Sequence, residues 1–180
     1  MRSIDYAFEV AKREREYQGK AWPRDSHPLA AQYVYAAPHV LLLERYVEKA
    51  GAQWEASHDE VDVLRTLAKA LAVAVRALEE LALVVFNADL QTTQEAALTR
   101  IRDERSQQDA KHPRNKDNSG QYQFSAPHIL LAKDRLQVIR AAWYESDRVR
   151  MLNEIVVLAA ILTRALQEID GPDLLEIGLR

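Results

Sequence analysis

The sequence predicts an all-α protein built of two homologous helical units, and three observations carry that prediction. Glycine and proline are scarce, five and six in 180 residues, so few breakers interrupt the chain. Apolar residues recur three and four apart, the spacing of a helix face rather than of a strand. Finally, Tyr33-Val34-Tyr35-Ala36-Ala37-Pro38-His39-Val40-Leu41-Leu42 returns as Tyr122-Gln123-Phe124-Ser125-Ala126-Pro127-His128-Ile129-Leu130-Leu131, 89 positions later. The echo continues with Trp54 against Trp143 and Ser57 against Ser146. After a one-residue slip, Arg76-Ala77-Leu78-Glu79-Glu80-Leu81 becomes Arg164-Ala165-Leu166-Gln167-Glu168-Ile169. Upstream, Glu14-Arg15 and Gln18 match Glu104-Arg105 and Gln108 at an offset of 90. Order and spacing both persist, so the chain divides into a first repeat, 1–88, and a second, 89–180. Two copies of this length suit a pseudo-symmetric pair better than a solenoid array.

Each repeat reads as three helices. The first runs from about Ile4 to Gln18 and recurs from about Glu95 to Asp109, where Thr92-Thr93-Gln94-Glu95 forms a capping box. A polar loop follows, Gly19 to Ala37 and then Ala110 to Ala126. Both loops end in Ala-Pro-His, and proline suits the first turn of the next helix because it has no N–H to leave unpaired. The second helix spans Pro38 to about Ala56 and Pro127 to about Glu145, with Val40, Leu41, Leu43 and Val47 as its apolar stripe. The third begins near Ser57-His58-Asp59-Glu60, another capping box, and near Ser146-Asp147. Val61, Leu64, Leu67, Leu71, Val75 and Leu78, matched by Met151, Ile155, Leu158, Leu162, Leu166 and Ile169, make these third helices the expected centre of the core. Phe86-Asn87-Ala88-Asp89 breaks the pattern and marks the boundary between repeats.

Composition excludes several function classes. The net charge is −3 with no basic block, which argues against nucleic acid as the main partner. The absence of cysteine removes thiolate and disulfide chemistry and fits a reducing, cytoplasmic setting. Met1-Arg2-Ser3-Ile4-Asp5 carries no apolar signal region. The most apolar stretch, Leu67 to Leu90, is interrupted by Lys69, Arg76, Glu79 and Glu80, so it reads as a core helix and no membrane span is expected.

Three stretches resemble the all-α nucleoside triphosphate pyrophosphohydrolases, the superfamily of MazG and the dimeric dUTPases, and in particular MazG-like proteins of phage and bacterial genomes labelled dATP/dGTP diphosphohydrolases. Glu14-Arg15-Glu16-Tyr17-Gln18-Gly19-Lys20-Ala21-Trp22, repeated as Glu104-Arg105-Ser106-Gln107-Gln108-Asp109-Ala110-Lys111, is similar to their Glu-Arg-x-x-Gln-x-x-Lys-Trp entry. Leu131-Ala132-Lys133-Asp134-Arg135-Leu136-Gln137-Val138-Ile139-Arg140-Ala141 resembles their carboxylate-bearing second helix. Leu152-Asn153-Glu154-Ile155-Val156-Val157-Leu158-Ala159-Ala160 resembles the helix that follows it. The resemblance implies a MazG-like helical bundle formed between units, so that one chain imitates a dimer. Leftover apolar surface would then drive a homo-oligomer. It also implies carboxylates on facing helices that hold Mg²⁺, which neutralises phosphate and activates water.

Both repeats depart from that acidic pattern. The acidic positions of the second helix read Glu44, Arg45 and Glu48, then Lys133, Asp134 and Gln137. Those of the third helix read Thr66 and Lys69, then Glu154 and Val157. The candidate metal ligands are therefore Glu44, Glu48, Asp134 and Glu154, and a Mg²⁺ cofactor is implied only if the protein is an enzyme. Cations now stand at Arg45, Lys69 and Lys133. They hold phosphate directly, as Arg and Lys commonly do, or they form ordinary surface pairs such as Glu48 with Lys69 or Asp134 with Lys133. Arg15, Gln18, Arg105, Gln108 and Lys111 complete the candidate ligand set, either bordering a nucleotide pocket or locking the first helix down as a buried ion pair. His39 and His128 suit structural first-turn roles rather than a metal site. Trp54 and Trp143 suit packing more than base stacking.

Three functions follow as expectations. The first is a catalytically degenerate protein (a pseudoenzyme) that binds a nucleotide or nucleotide-derived signal, of which a phage-encoded sponge for a host immune signal would be one example. The second is an active Mg²⁺-dependent pyrophosphohydrolase. The third is a structural or protein-interaction module.

Overall fold

Long runs free of helix breakers fold as expected into helices only. The computed structural model describes residues 1–21, 35–86, 94–112 and 119–179, and among these no strand occurs. Six long helices are α1 (Ile4–Ala21), α2 (Ala36–Ser57), α3 (Glu60–Phe86), α4 (Gln94–Lys111), α5 (Ser125–Tyr144) and α6 (Arg148–Glu168). A single turn, α7 (Leu174–Ile177), closes the described chain, and a 3₁₀ turn at Ser119–Gln123 precedes α5. Helix α1 runs three residues past its predicted C-terminus, α2 and α4 run one or two residues past both predicted ends, and α5 starts two residues early and ends one residue short. The capping box at Thr92-Thr93-Gln94-Glu95 and the boundary at Asn87-Ala88-Asp89 lie wholly or partly outside the described residues. None of the helices described is long and apolar enough to cross a membrane.

The third helix of each repeat forms the centre, as predicted. Helices α3 and α6 pack on each other. Helix α2 packs on α3, α5 on α6, and α2 also meets α5. Helix α1 lies against α3 and α6, and α4 lies against α6 and α3. Leu64, Leu67, Leu71, Leu78, Met151, Leu152, Ile155, Leu158 and Leu162 are each under 2 % exposed and belong to one apolar cluster that spans both halves. Two predicted core positions need correction. Val61 is only half-buried, and Leu41, placed in the buried stripe, is 63 % exposed because it points off the face that carries Val40, Leu43 and Val47.

The interhelix turns refine the repeat. Helix α2 ends at His58 with φ 55°, and the turn after α5 places Ser146 at φ 59°. A left-handed residue with a Cβ costs about 1–2 kcal/mol, and stacking of His58 on Trp54, 4.8 Å between ring centres, helps hold it. These matched residues are 88 apart, so the slip falls within the helix end, between Trp143 and Ser146, rather than after Ser57 and Ser146. The capping box at Ser57 is also a correction. Asp59 accepts from Val61 N at 2.8 Å, whereas Glu60 accepts hydrogen bonds from the backbone N–H and hydroxyl of Ser125. One repeat thus caps the first turn of α5 in the other. At the opposite end, Arg2 donates from its backbone N to Gln167 O and from its guanidinium to Ile169 O and Pro172 O, each at 2.9 Å. Those carbonyls lie at and beyond the C-terminus of α6, where a cation complements the exposed partial charge.

Candidate functional site

The duplicated polar residues converge into two related clusters. In the first repeat, α1 supplies Glu14, Arg15 and Gln18, α2 supplies His39, and α3 supplies Arg76, Glu79 and Glu80. Gln18 donates to Glu14 at 3.2 Å, and Arg15 Nη2 donates to Glu79 Oε2 at 2.8 Å. Arg76 Nε donates to Glu80 Oε1 at 2.9 Å, and His39 Nε2 lies 3.0 Å from Glu80 Oε2. His39 is 0 % and Glu80 6 % exposed. Burial pushes the Glu80 carboxyl up, but the hydrogen bond from His39 and the charge of Arg76 outweigh it, leaving its pKa below the ordinary value.

The second repeat rebuilds the arrangement with Glu104, Arg105 and Gln108 on α4, His128 on α5, and Arg164 and Glu168 on α6. Gln108 donates to Glu104 at 3.0 Å, and Arg164 Nε donates to Glu168 Oε2 at 3.0 Å. His128 Nε2 lies 3.0 Å from Tyr122 O and 3.8 Å from Glu168 Oε2. Because a carbonyl only accepts, Nε2 carries the proton, and Nδ1 has no hydrogen-bond partner among the described residues. The predicted first-turn role of the histidines is therefore extended: each reaches a buried carboxylate on the following helix. Sequence reasoning noticed both histidines and both Arg-x-x-x-Glu pairs but did not join them. The available signal was that they recur together.

Burial lowers the pKa of His128, opposed by Tyr122 O and Glu168 and reinforced by Arg164 and Arg105. The unfolded histidine titrates near 6.5, so below that pH the unfolded state binds more protons and stability falls. Glu80, lowered in the folded state, adds a second loss as pH drops below about 4.5, while Glu60, raised mainly by burial, acts in the opposite sense. The urea midpoint is expected to decline from about pH 7.5 to about pH 5.5, and His128→Gln, which keeps a donor for Tyr122 O, should flatten that decline. An unchanged slope in the variant would remove His128 from the explanation.

The residues at the metal positions that the sequence resemblance implied lie elsewhere, on α2, α5 and the first half of α6. Glu44 sits 3.2 Å from Arg140 of α5, and Glu154 is ion-paired with Arg135. Glu48 and Asp134 are exposed. Among the described residues, no three His, Asp or Glu side chains group so as to hold a metal ion. Of the cations at these positions, Arg45 is exposed and Lys69 half-buried. Lys133 lies over the backbone of α2, its Nζ 2.9 Å from where a Cβ on Gly51 would stand. Thr66, at a third-helix acid position, is buried and donates to Gln53 at 2.7 Å. Lys111 is exposed. Trp54 packs partly buried against the core, whereas Trp143, expected to pack likewise, is 39 % exposed and leans on Tyr144. Of the candidate ligand residues, Arg15, Gln18, Arg105 and Gln108 fall in the two polar clusters, while Arg45 on α2, Lys69 on α3, Lys111 at the end of α4 and Lys133 on α5 fall outside them.

Comparison of the chain with protein-family models, curated proteins and solved structures gives no match.

Proposed function

We propose that this protein is a catalytically degenerate member of the MazG-like all-α frame that binds a nucleotide or nucleotide-derived signal through side-chain cations. The observation that carries the reading is the fate of the carboxylates. Glu44 and Glu154, one from each repeat, are each engaged by an arginine of α5. A guanidinium held against a carboxylate competes with a dication for the same oxygens. The duplicated frame is supported by the packing pattern, in which α1 on α3, α2 on α3 and α1 on α6 are matched by α4 on α6, α5 on α6 and α4 on α3. Phosphate oxygens would then be held directly by Arg and Lys, without metal.

Titration calorimetry in EDTA against nucleoside triphosphates, diphosphates and cyclic dinucleotides tests this. At least one ligand is expected to bind with undiminished affinity when Mg²⁺ is absent. Binding should raise the melting temperature, because a ligand of the native state adds to its stability. No binding across the panel, or release of pyrophosphate that requires Mg²⁺ or Mn²⁺, would overturn the proposal.

A further inference from the structure

Helices α2 and α5 cover α3 and α6 and pack on each other, and no further long helix covers them among the described residues. They run antiparallel, since Glu44 meets Arg140 and Gly51 lies under Lys133. Leu41 therefore stands at the end of this layer where Trp143 and Tyr144 emerge, and Leu130 and Leu131 stand at the other end. All five side chains are between 39 % and 70 % exposed. Leu41 and Leu130 occupy the same position in the two repeats, 89 apart, so the exposure belongs to the duplicated unit rather than to one helix. Helices α1 and α4 set the contrast: Tyr17 is the one large apolar side chain exposed on either of them.

Clustered exposed apolar side chains mark an interaction face, and the charges among them select the partner. The charged side chains that α2 and α5 expose are Arg45, Lys49 and Arg140 against Glu48, Glu55 and Asp134, three of each sign. A nucleic acid or an anionic membrane would draw a basic excess. A face that meets a copy of itself instead needs both signs in balance. The layer is also large enough. Two helices of 22 and 20 residues, laid side by side, give a footprint of about 30 Å by about 20 Å. Two copies face to face would then bury about 1,200 Å² in all, past the roughly 1,000 Å² that a specific interface requires.

We propose that the α2–α5 layer is the interface of a homodimer, in which two copies meet face to face about a twofold axis. The leucines and aromatic side chains of one copy are desolvated against those of the other, and the six charged side chains pair across the contact or line its rim. This accounts for Leu41, which lies off the face that carries Val40, Leu43 and Val47 into the core. The interface is independent of the nucleotide-binding reading and stands or falls apart from it.

Sedimentation velocity of the full chain across the micromolar range tests this. The expected species is a dimer of about 41 kDa, twice the 20.5 kDa chain. Leu41→Glu with Leu130→Glu should raise the dimer dissociation constant at least about a hundredfold, because each charge would have to enter an apolar contact. Tyr17→Glu, on α1 and outside the layer, should leave it unchanged. Leu41 and Leu130 are 63 % and 62 % exposed in the single chain, so helix content by circular dichroism should match the parent's, which separates loss of contact from loss of fold. If the glutamates lower helix content, Leu41→Ser with Leu130→Ser carries the same test. A parent that stays monomeric throughout, or a dimer that the double variant leaves intact or that Tyr17→Glu weakens equally, overturns the proposal. So does a particle larger than a dimer, because a closed twofold pair leaves no copy of the face open. Flotation with phosphatidylcholine–phosphatidylserine vesicles addresses the rival occupant: a monomer that binds them, and loses them in the double variant, would assign the layer to a membrane surface and overturn the dimer.

Discussion

Glu80→Gln is expected to destabilise the folded chain by about 3–5 kcal/mol, the cost of breaking a buried ion pair by removing one partner. The carboxylate is 6 % exposed, it accepts from Arg76 at 2.9 Å, and His39 Nε2 stands 3.0 Å away. The amide keeps the shape but removes the negative charge that the Arg76 guanidinium, 11 % exposed, is bonded to. The loss should appear in urea unfolding as a lower midpoint at unchanged slope, and in a thermal scan as a fall on the order of 10 °C. Glu9→Gln supplies the contrast. Its partner Arg13 is 52 % exposed and Glu9 47 %, so the change should cost no more than about 0.5 kcal/mol. Replacing the whole cluster by apolar groups, Arg76→Met with Glu80→Leu and His39→Phe, should recover much of the Glu80→Gln loss, as buried ion pairs are often matched by well-packed apolar substitutes. Equal costs for Glu80→Gln and Glu9→Gln would show that burial is not what makes the contact expensive.

The helices and the centrality of α3 and α6 were legible in the sequence because periodicity reports the face a helix buries. The contacts between helices were less legible. His39 and Glu80 are separated by forty-one positions, and nothing local marks them as partners. The capping box at Ser57 failed for a similar reason: Asp59 caps the start of α3, accepting from Val61 N, Ser57 Oγ accepts from Asp59 N instead, and Glu60 bonds Ser125 across the molecule. The metal-ligand candidates were taken from the resemblance alone, and Arg135 and Arg140, which pair with Glu154 and Glu44, drew no attention in the sequence. Arginines on a helix read as solvated charge until the neighbouring helix is known.

Leu162→Ala is expected to cost about 2–5 kcal/mol and, more tellingly, to lower the unfolding midpoint of both repeats together. Leu162 is 1 % exposed in α6, so truncation leaves a cavity that packed neighbours only partly close. In a pair of independent domains the change would shift the second repeat alone. Here neither half buries its core unaided. Helix α6 packs on α3 and α1 of the first repeat as well as on α4 and α5 of its own, and one apolar cluster runs through all six long helices. The cross-repeat caps at Ser125 and at the end of α6 tie the ends of the same unit. Unfolding the second repeat would therefore expose the apolar faces of α3 and α1 to water, at about 25 cal/mol for each Å² of apolar surface. Two variants that retain only Trp54 or only Trp143 give each repeat its own fluorescence signal. Coincident transitions from both, shifted equally by Leu162→Ala, are the expected two-state result. Separate midpoints, with Trp54 unmoved, would show that the two halves unfold independently.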